Sequence, residues 1–510
     1  MIARLALVPT LLLGTTLAVA REEPAPRPRG VVLILADDMG SDSVSALHPT
    51  SGLATPSLDK LAAQGMCFTD AHSGSGVCSP TRYGLLTGRY AWRTRLKQGI
   101  VAKWGPPLID DEELTLAEVM QAADYVTACI GKWHLGWNWP RLAGATAEDA
   151  IDYSRPVTGG PTEHGFDTYF GDDVPNWPPY TWIENDRVLV APTGRMEADS
   201  ANGVSAGPAV PGWKLEAVLP TLVDRCEAFL AERAEAEEPF FLFFSMTSPH
   251  TPINPTKEFR GKSGVSAYAD FLLETDWAVG RVLATLDRLD LADDTLVIFT
   301  ADNGTSPKAR FAELEAGGIL LRETWRGHKA DAFEGGHRVP FIVRWPGVVE
   351  AGARCSEIIS LVDCTATLAE VVGATLPPDA AVDSVSLLPL LRGETLKAPL
   401  HEAVVSHSSG GRFAVHRGQY KAIFCPGSGG WSAPNDKQAR ARGLPEVQLY
   451  NLERDPRESK NLCAEQPEVV EELRGILRRF VERGRSTPGP SQSNDGPVHW
   501  RQLPWPKPGP

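Results

Sequence analysis

Four apolar runs in the chain break off abruptly at ionisable or amide residues. VVLILADD (31–38) is an unbroken Val/Leu/Ile stretch finishing in Asp37 and Asp38, the pattern of a strand covered on both faces. TLVIFTADNG (295–304) repeats it and finishes in Asp302 and Asn303. YVTACIGKWHLG (125–136) delivers Lys132 and His134, and FFLFFSMTSPH (240–250) delivers His250. Ligand crevices of open parallel sheets lie beyond the carboxyl ends of the strands, so the four runs are expected to aim these groups at one place. FIVRWPG (341–347) reads as a further strand.

Helical periodicity fills the intervals. Thr55 and Pro56 open SLDKLAAQG, with Gly65 as its stop; TLVDRCEAFLAERAEAE carries Leu222, Cys226, Phe229 and Leu230 at helical spacing; AYADFLLETDWAVGRVLATLDRL reads as a longer amphipathic helix. In CSPTRYGLLTG, Ser79 is expected to cap, Pro80 to take the first helical position and Gly88 to close the helix. The alternation predicts a doubly wound α/β fold with a large, mostly parallel sheet over 30–395. Beyond it, AVVSHSSGGRFAVHRGQYKAIFC and EVQLYNLERDP are short alternating runs followed by helical PEVVEELRGILRRFVERG. They predict a smaller α+β subdomain over 396–485, with an irregular Pro/Gly/Ser-rich tail at 486–510.

Composition narrows the partners. Of 510 residues, 42% are hydrophobic and 22% charged, which supports a packed core rather than disorder. The net charge of -14 and the absence of a Lys/Arg run exclude an extended nucleic-acid surface, although a local basic pocket can still bind an anion. MIARLALVPTLLLGTTLAVA has the layout of a signal peptide (1–20) cleaved after Ala20, followed by a Pro-rich linker (21–29). An N-terminal anchor helix is the competing reading, weakened by Gly14, Thr15 and Thr16. The chain is therefore expected to be secreted or periplasmic, with no membrane attachment after cleavage; no oligomeric state is indicated. Eight cysteines are too few for a disulfide scaffold and show no CxxC zinc pair. Cys355 and Cys364 are close enough in sequence to pair, whereas Cys67 and Cys129 read as buried thiols.

The strand-end acids carry the first chemistry. Three aspartates and an asparagine gathered in a crevice are unstable unless something positive offsets them. An all-oxygen set suits a hard divalent cation, Ca²⁺ or Mg²⁺, better than zinc. Either pair alone would be an ordinary turn former. Cys78 stands at a helix start with Arg82 in the first turn, which leaves a thiolate nucleophile, a structural thiol and a modified residue as candidates. Taken singly, His134 and His250 could be structural, Lys132 a solvated charge and Lys329 one member of the basic cluster RGHK. WNWP (137–140) and PNWPPYTW (175–182) could line a cleft or pack a loop, and His328 and His337 have no assignment.

CSPTR (78–82) matches the Cys-x-Pro-x-Arg signature of type I, formylglycine-dependent sulfatases, arylsulfatase-like members of the alkaline phosphatase superfamily, and GLLTGR is similar to its continuation. LADDMG, GKWHLG, ADNG and HKADAFEGGHRVPFIVRWPG resemble further family blocks in the same order, and QLYNLERDPRESKNL resembles the C-terminal motif, so the likeness covers roughly 30–485. It implies that a separate formylglycine-generating enzyme oxidises Cys78 to 3-oxoalanine (Cα-formylglycine), which hydrates to a gem-diol. It also implies that Asp37, Asp38, Asp302 and Asn303 bind one Ca²⁺ whose shell the modified Cys78 and the substrate complete. Arg82, Lys132 and Lys329 would neutralise diol and sulfate oxygens, and His134 and His250 would be the acid/base and sulfate-contacting histidines. The implied reaction is hydrolysis of a sulfate monoester, with a sulfated polysaccharide or oligosaccharide as the expected substrate. A diol hydroxyl attacks sulfur, His250 with Lys329 protonates the leaving alcohol, and His134 deprotonates the second hydroxyl to expel sulfate. Two alternatives stand beside it: a phosphate or phosphonate monoester hydrolase on the same scaffold, and a non-catalytic anion-binding homologue.

Overall fold

The computed structural model describes residues 27–506 apart from 145, 146, 148 and 149. The expected signal peptide lies outside the described residues. Ten strands form the central sheet: Gly30–Ala36 (β1), Met66–Phe68 (β2), Val126–Lys132 (β3), Thr168–Asp173 (β4), Ile183–Glu184 (β5), Arg187–Val188 (β6), Phe240–Ser245 (β7), Thr295–Ala301 (β8), Phe341–Arg344 (β9) and Ala353–Cys355 (β10). They lie in the order β10-β2-β9-β8-β1-β7-β3-β4-β5-β6. The five central strands β8, β1, β7, β3 and β4 run parallel. The expected FIVR strand, β9, turns antiparallel to β8 and β2, and β5 and β6 are antiparallel additions at the other edge.

The four polar-ended runs are thus adjacent strands. Val31 to Ala36 are 0% exposed, so water reaches neither face of β1, and each large apolar side chain contributes about 1.5–3 kcal/mol by burial. Helices pack in two groups. Ala267–Arg288 (α5) packs on both Pro56–Ala63 (α1) and Val218–Ala234 (α4), while Cys78–Thr87 (α2), Leu116–Ala122 (α3) and Asp363–Val371 (α6) contact one another.

Local signals were only partly followed. Thr115 opens α3 with a full capping box to Glu118, and Ser266 caps α5. The Thr55 hydroxyl instead accepts from Ser45 N at 3.0 Å. The expected cap at Ser79 is corrected too: α2 begins at Cys78 after Val77, because the Ser79 hydroxyl is committed to Val101 N at 3.1 Å. Gly88 closes α2 in the left-handed conformation (φ 64°). All eight cysteines are unpaired: Cys355 sits on edge strand β10, whereas Cys364 is buried within α6.

A second sheet of four antiparallel strands follows: Val404–His407 (β11), Phe413–Arg417 (β12), Tyr420–Ile423 (β13) and Gln448–Asn451 (β14). Helix Pro467–Glu482 (α7) covers it, placing Leu473, Ile476, Leu477 and Phe480 against Val405, Val415 and Leu449. Tyr90 and Trp92, just past α2, belong to the same apolar cluster. Residues 485–506 form turns without helix or strand, yet Trp500 is only 6% exposed and stacks on Trp92.

A buried ion pair helps to hold the seam between the two sheets. Asp383 accepts from Arg93 Nε and Nη2 at 2.7 Å each, from Tyr90 N at 2.8 Å and from Ser486 N at 3.0 Å. Arg93 also donates to the Phe480 carbonyl at 3.0 Å. Burial alone would raise the carboxyl pKa, but Arg93 outweighs it and holds Asp383 below its ordinary value. Its contribution is therefore complete above the unfolded value and is lost as pH falls through the lowered folded one. Asp383→Ala, which strands a buried guanidinium, is expected to cost about 3–5 kcal/mol in denaturant unfolding at neutral pH, with the deficit relative to wild type shrinking in strong acid.

Candidate active site

Register puts the first groups of the site in one row. Ala36 pairs with Ala301, so Asp37 and Asp302 leave β1 and β8 at the same level. Ser245 of β7 pairs with Gly131, which brings Lys132 one step beyond it. The pairing of β3 with β4 shifts between Ile130 and Lys132, and Gly131 has φ 120°. A Cβ there would stand 1.8 Å from the Ser245 carbonyl oxygen, so only glycine permits this irregularity. Asp38 and His134 also take left-handed backbone, φ 66° and 57°, at a cost of about 1–3 kcal/mol each.

The acids and cations interlock. Lys132 Nζ lies 2.6 Å from Asp37 Oδ2. Arg82 donates from Nε and Nη2 to Asp302 Oδ2 at 3.0 and 2.8 Å, and from Nη1 to the Ser245 hydroxyl at 2.5 Å. Lys329 Nζ reaches Asp38 Oδ1 at 2.5 Å and Cys78 Sγ at 3.5 Å. Asp302 Oδ1 accepts from Asp38 N at 3.1 Å, and Asn303 Nδ2 donates to Asp38 Oδ1 at 2.8 Å. Isolated charges at such burial would be expelled or neutralised; pairing keeps Asp37, Lys132 and Lys329 charged, whereas burial and the neighbouring Asp37 lift Asp302 to about 7 despite Arg82.

Asp37, Asp38, Cys78, Arg82, Lys132, His134, His250, Asp302, Asn303 and Lys329 all fall in or beside this cluster. Cys78 Sγ, one oxygen each of Asp37 and Asp38, and a His250 nitrogen lie within 4.8 Å of one another. His250 Nε2 is 3.7 Å from Asp38 Oδ2, and its Nδ1 bonds the Thr251 carbonyl at 2.6 Å. A carbonyl only accepts, so Nδ1 carries the proton and Nε2 faces the acids with its lone pair. His134 is held through its backbone N–H on Asp173 Oδ1 at 3.1 Å, while both ring nitrogens are buried without a partner among the described residues. Its ring meets Trp177 edge-on at 5.1 Å.

Ionisation follows from this packing. Burial works against charge on Asp37, but Lys132, His250 and Arg82 hold it well below the usual carboxylate range. Burial would likewise strip Lys132 and Lys329, yet Asp37 and Asp38 respectively keep each above its ordinary value. Burial lowers His134 strongly, reinforced by Lys132 and Arg82, and lowers His250 to about 4 against the pull of Asp37. The Cys78 thiol, 2% exposed, is pushed up to about 12 by burial despite both lysines. Two charged lysines and two neutral histidines surround a sulfur poorly suited to act as a thiolate.

The oxygen donors fit a hard divalent cation. Asp37, Asp38 and Asp302 supply carboxylates, and Asn303 Oδ1 is buried with no hydrogen-bond partner among the described residues although its amide nitrogen is satisfied. An orphaned amide oxygen among carboxylates has the type and placement that a cation ligand needs.

Some contributors were missed from the sequence. Ser245 links Arg82 to the Lys132 carbonyl, to which it donates at 2.6 Å, and Asp173 orients His134. Both end apolar strands, the same signal that marked Asp37. Of the aromatic stretches, Trp137 and Trp139 are buried against each other and pack a loop, while Trp177 reaches the site. His337 belongs elsewhere, bonded to His72 at 3.0 Å and Lys421 at 3.0 Å.

Comparison with known proteins decides what this cluster belongs to. The family model described as Sulfatase matches residues 29–374. The chain belongs to the sulfatase family. It is 32% identical to the N-acetylgalactosamine-6-O-sulfatase of Bacteroides thetaiotaomicron over 89% of this chain and 93% of that protein. It is 33% identical to human arylsulfatase A, over 93% and 92% respectively. A solved structure from work on glycosaminoglycan metabolism by Bacteroides thetaiotaomicron superimposes with a TM-score of 0.76 at 30% identity, covering 89% of this chain and 99% of that one. The chain is accordingly a sulfatase, an enzyme acting on sulfated substrates. No helix among the described residues is long and apolar enough to cross a membrane.

Proposed function

We propose that this sulfatase hydrolyses sulfate monoesters of a sulfated carbohydrate at Cys78, matured to formylglycine by a formylglycine-generating enzyme. The observation that carries the reading is the convergence of Asp37, Asp38, Cys78 and His250 within 4.8 Å, ringed by Arg82, Lys132 and Lys329. The bacterial relative named for N-acetylgalactosamine 6-O-sulfate supports a glycosaminoglycan-type sugar as substrate. The layout of residues 1–20 supports a secreted or periplasmic enzyme, and the change of character near residue 395 supports a catalytic domain over 30–395, a subdomain over 396–485 and a tail beyond.

Asp37, Asp38, Asp302 and Asn303 would hold one Ca²⁺, which supplies Lewis-acid charge for the sulfate oxygens. The protein's own groups divide the remaining work. Lys132, Lys329 and the amino end of α2 stabilise negative charge that grows on sulfate in the transition state. Arg82 is a positioning residue: through Asp302 and Ser245 it fixes the ends of three strands. Lys329 carries a proton beside Cys78, and His250 Nε2, free of any donor, can take one up as an anionic ester enters and pass it to the leaving oxygen. His134, with both ring nitrogens unpartnered, is placed to accept a proton from residue 78 when sulfate departs. A second hydroxyl on the same carbon gives that sulfate an exit which a simple serine ester lacks.

Mass spectrometry of the peptide carrying Cys78 from active native protein is expected to show an aldehyde in place of the thiol; a wholly unmodified thiol in fully active enzyme would sink the mechanism. Lys132→Ala should lower kcat on an aryl sulfate by about 10²–10³-fold, and wild-type kcat in the folded variant would show that Lys132 does not stabilise the transition state. Turnover of aryl sulfate should vanish on chelation and return with Ca²⁺, with aryl phosphate turned over more slowly. The opposite preference would favour the phosphate-ester alternative.

A further inference from the structure

The loop that carries Lys329 has a second side. Lys329 runs inward to Asp38 and Cys78, while Arg326 and His328 line a cavity of about 720 Å³ together with Arg322, Trp325, Trp431 and Arg457. The charge of this cavity opposes that of the chain, which is -14 overall. Among the described residues its one lining carboxylate, Glu315, lies 3.0 Å from Arg322. Arg326 donates instead to the Tyr450 hydroxyl at 3.2 Å and the Glu458 carbonyl at 2.6 Å, and Arg457 to the Glu323 carbonyl. Carbonyl and hydroxyl partners orient a guanidinium without neutralising it, leaving its charge and further donors for a bidentate anion.

The walls are also fixed in advance. Arg326 lies over the Phe333 ring at 3.9 Å and Arg322 over Phe311 at 4.3 Å. Trp431 is 56% exposed, but its backbone N–H and that of Ser432 are bonded to Asp331 Oδ1 at 2.8 and 3.0 Å. An exposed indole on anchored backbone presents an apolar face of the size of a sugar ring.

We propose that this cavity is an anion subsite, receiving a second sulfate or a carboxylate of a polyanionic saccharide whose reacting sulfate lies at Cys78. The proposal rests on the sulfated-carbohydrate reading of the main site. His328 on the cavity wall and Lys329 in the reaction centre are adjacent residues, their Cα atoms about 3.8 Å apart, and Trp325 on the same wall bonds the Ser41 hydroxyl at 3.1 Å, three residues past Asp38. On this proposal an oligosaccharide held by its reacting sulfate at Cys78 brings a further anionic group to the cavity, whereas a sugar bearing a single sulfate engages the reaction centre alone.

The test compares two substrates with the same reacting ester, N-acetylgalactosamine 6-sulfate and a chondroitin 6-sulfate tetrasaccharide, in wild type, Arg326→Gln and Arg457→Gln. Arg457 is exposed, so its variant remains informative where loss of the Arg326 contacts perturbs folding. The wild type should show a KM for the tetrasaccharide about tenfold below that for the monosaccharide, as expected for one charge-assisted contact. Arg457→Gln should erase most of that ratio, and added salt should shrink it in wild type. A carboxyl-reduced tetrasaccharide distinguishes the sources: retention of the advantage assigns the subsite to sulfate, and its loss to carboxylate. A ratio unchanged by both substitutions overturns the subsite. If neither sugar is hydrolysed while 4-nitrocatechol sulfate is, the substrate reading fails on its own. The subsite is then judged by tetrasaccharide inhibition of that turnover, where a roughly tenfold weaker inhibition in Arg457→Gln is expected and equal inhibition overturns it.

Discussion

Three carboxylates and three cations are buried together at the ends of four parallel strands, and neither set is stable there without the other. Asp37 would not stay ionised without Lys132, nor would Lys132 and Lys329 stay protonated without Asp37 and Asp38. This mutual dependence constrains the surrounding fold. The strands must end level, so that Asp37 and Asp302 emerge side by side; β3 must buckle at Gly131; and Asp38 must adopt a backbone conformation that side chains avoid. Burial of β1 on both faces supplies the stability that such strain consumes.

A second buried network does for the small sheet what the first does for the site. Lys421 on β13 contacts Glu334 at 2.8 Å, Glu458 at 2.9 Å and His337 at 3.0 Å, while Arg338 joins Glu334 at 2.7 Å to Asp70 at 2.9 Å. Glu334 and Arg338 stand between Lys329 and β9 in the chain. The small sheet is therefore registered against the segment that delivers Lys329, and its loops come to rest on it: Ser409 N bonds the Ala330 carbonyl at 2.9 Å.

Much of this could be read in advance because a strand shielded on both faces has to be apolar throughout, so its end is marked by a sudden polar residue. That signal located Asp37, Asp302, Lys132 and His250, and would also have found Ser245 and Asp173 had it been applied to every run. Pairing direction was less legible. FIVR reads as a strand wherever it lies, and only its place between β8 and β2 makes it antiparallel. Caps depend on which hydroxyl is claimed first, as Ser79 shows through its bond to Val101. Trp139 and Trp177 look alike in sequence, and their separation into packing and site residues is decided by neighbours distant along the chain.

The burial of Cys78 also sets an order of events. All ten residues of α2 are buried, and the turn just before it is pinned by Gly76 N to the His407 carbonyl at 2.9 Å on β11. A residue enclosed in this way is out of reach of another enzyme once the fold is complete, so the maturation proposed for Cys78 would have to come first. Because β11 lies more than three hundred residues later in the chain, the stretch around Cys78 is synthesised well before the strand that seals it. Until that strand is made, the turn before Cys78 lacks its bond to His407.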